Sequence, residues 1–142
     1  QMGASQRQYS LFDEETLIDV TPRLKAAMAA AIRKSGLSVD QVADKMNALG
    51  ERSGVRLNRN AKRLSKETLE KWINPNDTTH IPGLNAIQAF VRALGDPRPL
   101  AVLAEACGMQ VITEEQARLL RAAEIDAEIS RLRAQKKALE AL

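Results

Sequence analysis

The sequence predicts an all-α protein, and three observations carry that prediction. Aromatic residues make up only 3% of the chain, so its core has to be built from Leu, Ile, Val, Ala and Met, which suits packed helices better than a sheet. Side-chain caps, apolar stripes and closing glycines recur in that order along the chain, as helix starts and stops do. No stretch sustains a period-two alternation. The best strand candidate, Val55-Arg56-Leu57, is too short to define a sheet and is at most a small wing or arm. At 142 residues the chain is long enough for one ordinary domain plus appendages, without metal or disulfide staples.

The elements follow in order. Residues 1–20 are expected to be a flexible N-terminal arm, although Leu11, Phe12, Leu17 and Ile18 could clip onto the domain or a partner. Thr21-Pro22 opens the first helix, because proline at the first helical position loses no hydrogen bond; Leu24, Met28, Ala31 and Ile32 form its stripe and Gly36 closes it. Ser38 and Gln41 make a capping box for a second helix, with Val39, Val42, Ala43 and Met46 inward and Gly50 as the expected stop. Ser65 caps a third, whose buried face is Leu69, Trp72 and Ile73, ended by the turn cluster Asn74-Pro75-Asn76-Asp77. Pro82 begins a fourth, with Leu84, Ile87, Phe90, Val91 and Leu94 inward and Gly95 behind. Pro97 and Pro99 bracket the start of a fifth, on which Leu100, Leu103, Ala104 and Cys107 are expected to face the core up to Gly108. Thr113 and Gln116 make a second capping box, and from there to Leu142 neither Gly nor Pro interrupts a run of helix formers, a helix of about 45 Å.

The second and third helices read as the two halves of a helix-turn-helix. In the third, Lys66, Glu67, Glu70 and Lys71 are left outside, where a duplex could meet them. The stretch Leu37-Ser38 through Met46 resembles the second helix of the lambda-repressor-like, or XRE-type, family of phage and bacterial regulators. Leu64 through Trp72 resembles that family's recognition helix. Pro82-Gly83-Leu84, followed by Ile87, Phe90, Val91, Ala93, Leu94 and Gly95, resembles its fourth helix. The resemblance spans residues 24–103 and departs from the family at one place: residues 47–63 stand where a turn of a few residues usually joins helices two and three. It implies a five-helix DNA-binding domain over residues 21–110 that carries this insertion, followed by a long C-terminal helix within 111–142. It also implies that Ser38 and Gln41, at the N-terminus of helix two, anchor a phosphate, with the backbone amides adding partial positive charge.

Charge is distributed in a way that agrees. The net charge is only +3, but between Glu51 and Lys71 seven basic residues (Arg52, Arg56, Arg59, Lys62, Arg63, Lys66, Lys71) outnumber three acids (Glu51, Glu67, Glu70). A positive focus in a neutral or acidic frame is what phosphate attraction needs. Lys66 can donate to guanine O6 or N7, Glu67 can accept from cytosine N4, and Thr68 can touch a thymine methyl, so these three are the expected base-edge contacts. Arg56, Arg59, Lys62, Arg63, Ser65 and Lys71 are the expected phosphate contacts. The carboxylates are tolerable if Glu67 pairs with Lys71 one turn away.

On the C-terminal helix, Ile125, Leu132 and Leu139 at heptad position d put Ala122, Ile129 and Lys136 at a. In a parallel pair Arg121 would then face Asp126 and Glu128 would face Arg133, so Ala122, Ile125, Ile129, Leu132 and Leu139 are the expected dimerisation residues. A dimer implies a palindromic operator.

Other functions find less support. One histidine, His80, and one cysteine, Cys107, cannot assemble a zinc site; Cys107 is expected as buried filler and Trp72 as core. There is no phosphate-cradling loop, nucleophile triad or paired-carboxylate arrangement, so no enzyme activity and no cofactor is expected. A lone cysteine, with no signal peptide and no membrane-length apolar run, points to the reducing cytoplasm. The expectation is a double-stranded-DNA-binding, prophage-type repressor acting as a homodimer. The competing expectation is a protein-interaction module or antitoxin that works through its final helix.

Overall fold

The computed structural model describes residues 16–59 and 61–142. Six helices are present and no strand occurs among the described residues: α1 (Thr21–Ser35), α2 (Val39–Ser53), α3 (Lys66–Trp72), α4 (Leu84–Leu94), α5 (Arg98–Ala106) and α6 (Glu114–Glu140). The described residues through Gln110 form one compact unit and Val111–Leu142 a second. Leu11 and Phe12 lie outside the described residues, and Leu17, expected to clip onto the domain, is 97% exposed.

In the first unit α1 packs on α5, α2 on α4, and α3 on α2. Met28, Val42, Met46, Leu69, Ala86 and Phe90 are fully buried where these helices meet. The core is made of aliphatic, alanine and methionine side chains around single Trp and Phe residues, as a sequence poor in aromatics demands. Chain direction is set at the caps. Pro22 sits in the first turn of α1 and Gly36 closes it in the left-handed conformation, φ +74°, which glycine adopts without a steric penalty. At α2 the Ser38 hydroxyl accepts from the Gln41 amide (3.1 Å) while the Gln41 side chain accepts from the Ser38 amide (2.9 Å).

Three sequence expectations are corrected here. Gly50 does not stop α2: the helix runs on to Ser53 and Gly54 closes it at φ +66°. Gly50 is instead a close-approach position, because a Cβ there would lie 2.9 Å from the Val55 carbonyl oxygen and 3.2 Å from Leu57 Cγ. The first seven residues of the expected 47–63 insertion are therefore helix, and the connection between α2 and α3 is residues 54–65, with Val55–Leu57 forming no strand. Leu84 is the second correction. It occupies the first position of α4 and is 84% exposed; Ala86, Ala89 and Phe90 form the buried face, with Ile87, Val91 and Leu94 partly covered.

The third concerns α5, whose expected inner stripe faces largely to solvent, with only Ala104 of its four residues half-buried. Pro99 is its buried residue, and Leu100, Leu103 and Cys107 are exposed. Its start is fixed by Arg98, whose guanidinium pairs with Asp96 at 2.7 Å and reaches the Ala30 carbonyl on α1 at 3.4 Å. That anchor sets the small residues inward: Ala101, Val102, Ala104 and Ala106 are half-buried. In the second unit, Thr113 and Gln116 form the expected capping box, and no residue of α6 is buried.

Candidate nucleic-acid interface

α3 is a two-turn helix of seven residues, too short to stand by its own hydrogen bonds, and its neighbours hold it at both ends. At its N-terminus the Ser65 hydroxyl accepts from the Thr68 amide (3.1 Å) and lies 3.1 Å from the Thr68 hydroxyl. Leu64, Leu69 and Trp72 anchor the inner side in the core. Lys66, Glu67, Glu70 and Lys71 are exposed and Thr68 is half-buried, so the polar face of the helix stands open to solvent.

The C-terminal end is held by a residue that sequence reasoning missed. Lys25 on α1 is completely buried and donates from Nζ to the carbonyls of Lys71 (2.9 Å) and His80 (2.5 Å), with Asp77 Oδ1 at 3.9 Å. A cation at the helix C-terminus satisfies carbonyls left without intrahelical partners and opposes the negative end of the dipole. Burial pushes the Lys25 ammonium below its ordinary pKa, against the pull of Asp77. Asp77 also organises the turn that follows α3. Its carboxylate accepts from the backbone amides of His80 and Thr79, each at 2.9 Å, and lies 2.9 Å from His80 Nδ1. These contacts, led by the His80 amide, hold its carboxyl well below the usual carboxylate range. A signal for Lys25 did exist: it shares the helical spacing of Met28 and Ile32, so a charge falls on the apolar stripe of α1.

The connection preceding α3 is tied down twice. Leu57 and Leu64 insert into the core. The buried Asn47 side chain donates to the Leu64 carbonyl and accepts from the Leu64 amide, both at 2.8 Å. Arg59 and Lys62, between these ties, and Arg56, just before Leu57, are exposed. Arg63 is engaged with Glu51 on α2, which neutralises one of the expected phosphate contacts. Among the described residues Arg56, Arg59, Lys62, Lys66 and Lys71 take no ion-pair partner. The pairing of Glu67 with Lys71 open to them by spacing is therefore not made.

An open groove of about 1050 Å³ runs between this connection, the outer side of α3 and the segment entering α4; Arg56, Arg59, Thr68, Lys71, His80 and Asn85 lie along it. It brings together four of the expected DNA contacts: Arg56, Arg59, Thr68 and Lys71. Lys62, Arg63, Ser65, Lys66 and Glu67 do not line it; Glu67 precedes Lys71 by one turn on the same side of α3, whereas Lys66 stands on the side of Glu70. Ser38 and Gln41 are also outside it. Their hydroxyl and amide oxygens accept in the capping box, which leaves the Ser38 O–H and the Gln41 NH2 group as donors at the N-terminus of α2.

Among the described residues no group of three or more His, Cys, Asp or Glu side chains is placed to hold a metal ion, and no helix is long and apolar enough to cross a membrane. In comparisons with known proteins, no family model matches the chain, and no curated protein or solved structure matches it.

Proposed function

We propose that the protein is a sequence-specific, double-stranded-DNA-binding regulator of the helix-turn-helix kind. In this reading α2 and α3 are the two halves of the motif, the connection between them is lengthened, and α3 is the recognition helix. The observation that carries the reading is the solvent-facing side of α3: Lys66, Glu67, Thr68 and Lys71 project from a helix braced at both ends, beside the unpaired Arg56 and Arg59. Lys66, Glu67 and Thr68 read base edges; Arg56, Arg59, Lys62 and Lys71 neutralise phosphates. Arg63 contributes only by exchanging Glu51 for a phosphate. A prophage-type repressor acting in the reducing cytoplasm is the biological form we assign to it. One module reads few base pairs, so a dimer joined through α6 on a palindromic site is part of the same proposal.

Selection of bound duplexes from a random pool, at near-physiological salt, tests it. The expected result is an enriched motif with two-fold symmetry; recovery without sequence preference rejects the assignment. Within the enriched motif, Lys66→Ala or Thr68→Ala is expected to relax preference at one base position at a cost of about 1–3 kcal/mol. Arg59→Ala is expected to weaken all sequences alike. The exposed apolar side chains of α6 favour a second reading, a protein-interaction or antitoxin module. That reading predicts no sequence preference and a co-purifying protein bound through α6.

A further inference from the structure

α6 carries Ala122, Ile125, Ile129, Leu132 and Leu139 on one stripe, all of them exposed. Helices of this kind draw most of their stability from packing such a stripe against a partner. We propose that the partner is α6 of a second copy of this chain, and that the two helices run antiparallel. The inference rests on the dimeric reading above and adds the direction of the pair.

Direction is decided by what meets at the seam. In a parallel, in-register pair every seam residue faces its own copy, so Lys136 meets Lys136, Arg118 meets Arg118 and Glu115 meets Glu115. In an antiparallel pair each a position meets a d position. Ile129 then packs on Leu132 of the second copy, Ala122 on Leu139, and Ile125 on the aliphatic stem of Lys136, whose ammonium reaches solvent. Small meets large at the ends, and no like charges meet.

The flanks agree. Antiparallel pairing sets Asp126 against Arg133 of the second copy, twice by symmetry, and among the described residues neither takes an ion-pair partner within its own chain. The parallel arrangement would rely in part on Glu128, which already pairs with Arg131 at 2.7 Å on its own helix. Exposed flank pairs are weak and screened, so the like-charged seam layers outweigh them. In the antiparallel pair the two α6 N-termini lie about 50 Å apart along the axis, at 1.5 Å per residue.

Disulfide trapping in the full chain tests the direction. With Cys107→Ser as background, Ala122→Cys and Leu139→Cys are prepared separately, mixed, allowed to exchange and oxidised in a glutathione buffer. The antiparallel pair predicts a covalent dimer containing one chain of each variant, with little covalent product from either variant alone. Ile125→Cys mixed with Lys136→Cys repeats the test at a second layer, in case one site is distorted. Self-crosslinking of Leu139→Cys alone overturns the direction while leaving the dimer intact. A dimer mass by light scattering with no crosslink at either layer also overturns the inference, because α6 is then not the interface. A monomer mass for the unsubstituted chain rejects the dimeric reading itself.

Discussion

At the scale of single residues, the groove owes its geometry to side chains and to one missing side chain that never face a ligand. Glycine inside a helix is ordinarily worse than alanine by about 1 kcal/mol. At Gly50 the sign reverses, because a methyl group would press on the Val55 carbonyl at 2.9 Å and the chain entering the basic connection would have to move. Gly50→Ala is expected to lower stability by about 1–3 kcal/mol, read as a reduced urea midpoint. Asp77 gives a pH signature. Its folded pKa lies below that of the unfolded chain, so its contribution is present above about pH 4, the ordinary aspartate value, and is lost as pH falls below it. Asp77→Asn is expected to flatten that acid limb, measured as unfolding midpoints between pH 3 and pH 7.

At the scale of elements, legibility followed the type of signal. Caps carry their own chemistry, so Ser38, Ser65 and Thr113 mark their helices in the sequence and cap them in the structure. Periodicity shows that a helix has an apolar face but not which way the face turns. On α5 the regular spacing of Leu100, Leu103 and Cys107 pointed inward, yet the Arg98 anchor and Pro99 turn that stripe to solvent. Gly50 was misread for a related reason: a glycine behind an apolar run marks a helix end or a close contact, and only the position of Leu57 separates the two. The exposed residues of α3 were legible, whereas its supports were not, because Lys25 and Asn47 act across 46 and 17 residues of sequence. Asn47→Ala would leave both backbone groups of Leu64 unpaired in the interior. It is expected to cost about 2–4 kcal/mol of stability and to weaken binding to every DNA sequence, measured by denaturation and by titration of the selected duplex.

At the scale of the whole molecule, the balance of charge makes a prediction that no single contact makes. In the proposed complex, Arg56, Arg59, Lys62 and Lys71 are the phosphate contacts left once Arg63 is assigned to Glu51. Each neutralised phosphate contributes about −0.9 to the slope of log affinity against log salt, so a slope of about −4 per subunit is expected. Titrations between low and physiological salt check it, and Glu51→Gln, which releases Arg63, is expected to steepen the slope by about one. The described residues also divide into two compact units, residues through Gln110 and Val111–Leu142.

Leu57 and Leu64 each hold one end of the basic connection in the core, and Asn47 grips the second end directly, so three buried side chains set the entry to α3. In the proposed regulator, a change of charge at Arg59 or Lys62, between the two ties, would alter the grip on phosphates and leave the bearing of α3 in place.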